Sequence, residues 1–204
     1  MQAQFSGESS GHDWWHTYRV WQMALRLAQA EGADSTVVAL AALLHDVADW
    51  KFHGGDDTLG AQQTRAWLSS LEMPETLIAQ VEEIVAKVSF KGAGVADAAL
   101  SLEGQCVQDA DRLDAIGAVG IGRAFAYGGA KGRLMHDPGE APIFHQNFSE
   151  YQQKQSSTLN HFYEKLLLLK DRLHTAEARR IAAERHSFME QFVQRFLLEW
   201  DGHA

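Results

Sequence analysis

The chain has 204 residues, one cysteine and a formal net charge of −9, with 46% apolar and 22% charged residues. It is long enough to bury a continuous core, and its ordinary globular mix excludes disorder as the default. The acidic balance argues against an electrostatic grip on duplex nucleic acid or an anionic membrane, although a bound cation can reverse the local sign for a small phosphorylated ligand. Cys106 alone forms neither an intramolecular disulfide nor a thiolate metal site. The opening stretch MQAQFSGESSGHDWWH lacks the basic start and apolar centre of a signal peptide, and LLLL at 166–169 is far too short to span a bilayer. A soluble cytoplasmic protein is the expectation.

Helical periodicity dominates and strand signals are scarce. The first helix is expected from near His12 to the AEG of 30–32. It carries His16 among tryptophan, tyrosine and valine, with Arg19 three residues on and so on the same face. A second helix, capped by Asp34 or Ser35, is expected from about Thr36 to Asp49. Val37, Val38, Leu40, Leu43, Leu44 and Val47 make it apolar almost all round, the mark of a buried helix. His45 and Asp46 therefore enter the interior or line a cleft into it, with Asp49 one turn after His45. Burying an unpaired carboxylate costs on the order of several kcal/mol, so this one requires a cation or a proton.

A third helix is expected over about 59–71, and a fourth opens at Pro74 and runs to about Phe90. KGAGVAD at 91–97 is a connector. The fifth helix holds LEGQCVQDADRLDAI and either runs on or kinks through the glycines of GAVGIGRAFAYGG. Asp111 lies four residues after Val107 and three before Asp114, so one partly buried row carries two carboxylates. A cation would relieve their repulsion, with Arg112 as a further source of positive charge. The segment 128–150 reads as a long loop, either a lid or plain disorder. Two helices follow, about 157–173 and 176–200, with Phe188, Phe192, Phe196, Leu197 and Trp200 as a packing stripe and the six tryptophans as packing residues. The whole is expected to be one all-α domain over 1–204, a helical bundle of about seven to eight helices, with the site core at about 12–128 and C-terminal helices at about 157–200.

His16, His45, Asp46 and Asp111 form a set of two imidazoles and two carboxylates without a thiolate. Mixed nitrogen and oxygen donors suit Mn²⁺, Fe²⁺, Co²⁺, Ni²⁺ or Zn²⁺. Four protein ligands leave one or two positions for water, and a water so held is acidified toward hydroxide. Against this stands a simpler reading in which each polar group only satisfies another within the core.

The order His16, His45-Asp46, Asp111 resembles the H…HD…D signature of the HD-domain superfamily of metal-dependent phosphohydrolases. HDWWH..RV, LLHD.AD.KFH.GD, SFKG, QDADRLDAIGA.GI.RAFAYGG and HFYEKLLLLKD are similar to segments of its small stand-alone bacterial branch, so the likeness covers about 12–200. The resemblance implies a helical bundle of the HD type, one divalent cation on those four residues, and hydrolysis of a phosphate ester or anhydride. A nucleotide is the expected substrate, a nucleoside triphosphate losing pyrophosphate among the options, and Mn²⁺ the expected ion, with Fe²⁺, Co²⁺, Ni²⁺, Zn²⁺ or Mg²⁺ as alternatives. Asp49 stands where HDxxE or HDxxD places a catalytic carboxylate, or else bonds a ligand imidazole from behind. Arg19, Lys51, Lys91, Arg112 and Lys165 are candidate phosphate-binding cations, and His53 and His161 candidate phosphate contacts or acids. Dinuclear relatives carry extra histidines between the dyad and the last aspartate; this chain has none between Gly54 and Ala110, which implies a single metal. The alternatives to an enzyme are an HD module that senses a nucleotide with slow turnover, and a structural protein. No duplex nucleic acid or membrane partner is expected.

Overall fold

The computed structural model describes residues 13–47, 58–89, 95–143 and 156–203. Among the described residues are eight α-helices, one 3-10 helix and no strand, the all-α architecture that the periodicity predicts. None of these helices is long and apolar enough to cross a membrane. The chain divides into two compact units, one built on 12–90 and 97–111 and the other on 112–204. The division falls inside a helix, between Asp111 and Arg112.

The first unit begins with α1, Trp14–Glu31. Asp13 caps it, its carboxylate accepting the His16 N–H at 3.0 Å, and Gly32 ends it at φ +77°, a conformation that favours glycine. Val20, Ala24, Leu27 and Ala28 form its buried stripe. Helix α2, Ser35–Leu44, starts where the Asp34 carboxylate accepts the N–H groups of Thr36 (2.7 Å) and Val37 (3.3 Å). Its Val37, Val38, Ala41, Ala42 and Leu44 are buried, as its apolar surface requires. Helices α3, Leu59–Ser70, and α4, Glu75–Lys87, follow; Pro74 stands at the cap of α4, where its missing N–H costs nothing. Helix α1 packs on α2, α2 on α4, and α3 on α4.

Two boundaries differ from expectation. Helix α2 stops at Leu44 and does not run to Asp49: residues 45–47 form a turn in which the Val47 N–H bonds the Leu44 carbonyl at 3.0 Å. Helix α4 ends at Lys87, with Val88 as its cap; Phe90 lies outside the described residues.

Helix α5, Leu102–Asp114, crosses the division and does not run on through the glycines. Ile116 is extended and Gly117 adopts φ +77°. A Cβ at Gly120 would come within 2.2 Å of the Ala115 carbonyl oxygen. These two glycines break the helix and restart it as α6, Gly117–Ala130.

In the second unit the last turn of α5 is held by arginines. Arg185 Nη1 donates to the Leu113 carbonyl at 2.5 Å, and Arg123 Nη1 pairs with the Asp114 carboxylate at 2.8 Å. The expected helix over 157–173 is two elements: α7, Thr158–Glu164, capped by the Ser157 hydroxyl, and a 3-10 helix, Leu166–Arg172. Lys165, at φ −141° and ψ −60°, breaks the run between them. A three-residue turn puts Leu166 and Leu169 on one side, and both are buried. Helix α8, Ala176–Trp200, closes the chain behind its Thr175 cap.

The expected loop over 128–150 starts later, after Ala130, and part of it is anchored. The Leu134 and Met135 carbonyls accept the N–H groups of Thr158 and Leu159, both at 2.9 Å. The buried Glu164 carboxylate accepts from the Ile143 N–H (2.9 Å) and the Ser156 hydroxyl (2.6 Å). Residues 144–155 are outside the described residues, so the lid-or-disorder reading of 128–150 falls partly on them.

In the second unit the buried Phe162 joins aliphatic core residues such as Leu159, Leu169, Ala182 and Met189 to a cluster of half-buried rings. Phe162 lies 5.9 Å from Phe192 and 6.1 Å from Phe125, and Phe196 stacks on Trp200 at 5.7 Å. Of the predicted packing stripe, Phe192, Phe196 and Trp200 make ring contacts, although Trp200 is 43% exposed, and Phe188 is 49% exposed. Trp15 and Trp67 also face solvent, so not every tryptophan is a packing residue. Cys106 is fully buried, as a small apolar residue would be.

Candidate metal centre

The donors that the sequence singles out meet within the first unit. His16 comes from the first turn of α1, in the position that the Asp13 cap fixes. His45 and Asp46 follow the end of α2, and Asp111 comes from α5. His16 Nε2 lies 3.3 Å from His45 Nε2, 3.2 Å from Asp46 Oδ2 and 3.5 Å from Asp111 Oδ1. His45 Nε2 lies 3.4 Å from Asp46 Oδ2 and 3.9 Å from Asp111 Oδ1. His16, His45 and Asp111 are close enough together to hold a metal ion.

The spacing passes a simple fit test. Bonds of about 2.1 Å to a common ion, meeting at about 90–110°, separate their donor atoms by about 3.0–3.4 Å. Four of the five measured separations are within roughly 0.2 Å of that window, and the fifth, to Asp111, asks for a wider angle. The donor chemistry agrees, since two imidazoles and two carboxylates suit a divalent first-row metal.

One backbone bond prepares His45 for this role. Its Nδ1 lies 2.8 Å from the Ala42 carbonyl oxygen, which only accepts, so Nδ1 carries a proton and Nε2 is the nitrogen that faces the cluster. Burial lowers the affinity of this imidazole for a second proton. The charge and hydrogen bond of Asp46, the charge of Asp111 and the Ala42 carbonyl outweigh that and raise its pKa from 6.5 to about 9. The two carboxylates thus favour positive charge at this point.

Exposure is graded across the cluster. The imidazole side chains are 1% and 3% exposed, the carboxylates of Asp46 and Asp111 17% and 37%. The open side is the carboxylate side. Before Asp111 on α5, the buried Gln108 donates its amide N–H to the Val88 carbonyl at 3.0 Å, tying α5 to the end of α4.

The other predicted site residues are distributed over both units. Arg19 is half-buried on α1, one turn from His16. Arg112 is buried in the second unit, where its guanidinium bonds the Arg172 carbonyl. His161 and Lys165, half-buried, stand in the second unit at the last turn of α7, joined by a backbone bond of 3.0 Å. Asp49, Lys51, His53 and Lys91 lie outside the described residues. Asp114, which the sequence pairs with Asp111 as a second carboxylate of one row, is neutralised by Arg123. Sequence reasoning did not name Arg123, the Asp13 cap or the Ala42 carbonyl. An aspartate three residues before His16 at a helix start was a readable signal; a backbone carbonyl has none.

The helical architecture is that of the HD domain. The model of that family matches residues 14–116, and the chain belongs to the family. Among its relatives is the uncharacterized protein YpgQ of Bacillus subtilis, 41% identical over 198 residues that make up 96% of this chain and 87% of YpgQ. The crystal structure of YpgQ in complex with ADP superposes with a TM-score of 0.76 at 36% identity, covering 100% of this chain and 97% of that one. A Lactobacillus plantarum protein gives a TM-score of 0.88 at 37% identity over 98% and 93% of the two chains. An HD-superfamily hydrolase from Bacillus thuringiensis gives 0.73 at 42% identity over 98% and 92%.

Proposed function

We propose that the protein is a metal-dependent phosphohydrolase acting on a phosphate ester or anhydride of a nucleotide, with one divalent cation, Mn²⁺ by preference, held by His16, His45, Asp46 and Asp111. The observation that carries this reading is the convergence of those four side chains within 3.2–3.9 Å, on the Nε2 side of an imidazole whose other nitrogen is committed to Ala42. A bound cation lowers the pKa of a water and offsets charge on phosphate oxygens.

The chain's own groups supply the rest. Two neutral imidazoles and two carboxylates balance a divalent charge, so an incoming phosphate needs further positive side chains. Arg19 stands one helical turn from His16, and Lys51, His53, Lys91, Arg112, His161 and Lys165 are the other candidates. The substrate approaches from the exposed side of Asp46 and Asp111. Asp49 is the proposed acid–base group: it takes the proton of the attacking water or gives one to the leaving oxygen as the phosphorus–oxygen bond breaks. Similarity to YpgQ, which was crystallised with ADP, supports a nucleotide. Attack at the α-phosphate of a triphosphate, releasing pyrophosphate, is the specific reaction proposed.

Purified protein with Mn²⁺ is to be incubated with nucleoside mono-, di- and triphosphates, and phosphate and pyrophosphate release measured separately. Pyrophosphate from a triphosphate is the expected product. His45→Ala is expected to lower the rate about a thousandfold, roughly 4 kcal/mol of transition-state stabilisation. Nucleotide binding without product identifies a sensing module and overturns hydrolysis.

A further inference from the structure

The ligands converge only if α2 and α5 keep one axial register. Both helices run in the same direction: Glu103, at the start of α5, meets Asp34, at the start of α2, and Asp111 meets His45 and Asp46 beyond the end of α2. At the starting end the Glu103 carboxylate accepts the Asp34 N–H at 3.3 Å, the backbone of the residue that caps α2. Further along α5, Gln108 stands one turn before Asp111 and donates to the Val88 carbonyl at the end of α4. That carbonyl is one of the groups a helix end leaves without an intrahelical partner.

We infer that Glu103 and Gln108 are positioning residues for the metal centre: their bonds to the backbone at Asp34 and Val88 set the register of α5, and with it the place of Asp111 among His16, His45 and Asp46. This inference rests on the reading of those four residues as a metal site. A slip of one residue along a helix displaces a side chain by about 1.5 Å. The Asp111 carboxylate is already the outlying donor, 3.9 Å from His45 Nε2, so such a slip takes it out of the set. Both ties run from an α5 side chain to the backbone of another element, one at the start of α2 and one just past the end of α4. The carboxyl of Glu103 is held below its ordinary range, first by its own backbone N–H, against the effect of burial, and then by the Asp34 N–H and the Ser101 hydroxyl.

The test is Mn²⁺ binding by the full chain, followed by calorimetric titration alongside the thermal midpoint. Glu103→Ala and Gln108→Leu are expected to raise the Mn²⁺ dissociation constant about tenfold, the size seen when partners behind metal ligands are removed. Glu103→Gln keeps an oxygen that accepts the Asp34 N–H and is expected to restore wild-type affinity. Gln108 is buried, so Glu103→Ala keeps the test decisive should Gln108→Leu not fold. Wild-type affinity in Glu103→Ala, or a lowered melting point with unchanged affinity in both variants, overturns the inference while leaving the metal site intact. Absence of Mn²⁺ binding by the wild-type chain overturns the metal site itself, and the inference with it.

Discussion

The two units each hold a cluster of rings, and the clusters are built to opposite ends. In the second, Phe125, Phe162, Phe192 and Phe196 pack in tilted, edge-to-face and stacked pairs with centroids 5.8–6.1 Å apart, contacts of dispersion and apolar burial. In the first, the rings of His16 and His45 meet at 5.3 Å with a 70° interplanar angle, a similar geometry, but two carboxylates crowd against them. That cluster places two imidazoles and two carboxylates around a common centre. The same contrast exists between carboxylates. Asp114 is answered by Arg123 at 2.8 Å, while Asp46 and Asp111 converge on imidazoles. A buried polar group with a fixed ionic partner stabilises a fold; one that shares its partners with other donors around a common centre is arranged for a ligand.

This contrast can be broken by mutation. The largest effect on stability is expected from Phe162→Ala, which removes a fully buried ring and should cost about 3–5 kcal/mol in denaturant unfolding. A cost under about 1 kcal/mol would show that Phe162 is not part of the core of its unit. Next comes the metal: Mn²⁺ at a hundred times its dissociation constant should stabilise the wild-type chain by about 2.7 kcal/mol, and His45→Ala should melt at one temperature with or without it. An equal upward shift in both would place the ion elsewhere.

A further effect is in pH. The His45 pKa is raised from 6.5 to about 9 in the folded metal-free protein, so its protonation contributes stability that is fully present below pH 6.5 and lost as pH rises toward 9. A bound cation takes the place of that proton. The thermal shift produced by Mn²⁺ is therefore expected to widen between pH 6.5 and 8.5, and a shift that narrows over that window contradicts the assignment of His45 as a ligand.

Much of this was legible in the chain. Helical periodicity located the elements, and Asp34 and Pro74 marked helix starts, because capping and amphipathic period are local properties. The sequence also named His16, His45, Asp46 and Asp111 together, and the fold brings these side chains near one another. The end of α2 was not legible, since Leu44 and Val47 are equally apolar and only the surrounding helices decide that the chain turns after Leu44. Nor was the break at Lys165, where nothing in HFYEKLLLLKD forbids a continuous helix.

Composition and local order thus determined that the protein is helical, that His45 and Asp46 end an apolar run, and that the donor set of His16, His45, Asp46 and Asp111 suits a divalent metal. Tertiary structure decided which nitrogen of His45 faces the centre, through the Ala42 carbonyl; which aspartate of α5 joins it, through the removal of Asp114 by Arg123; and how α5 is seated, through Glu103 and Gln108. The reason is range. A cap or a periodic stripe depends on neighbours within a turn or two, whereas a ligand site depends on the relative position of helices distant in sequence, which only packing specifies.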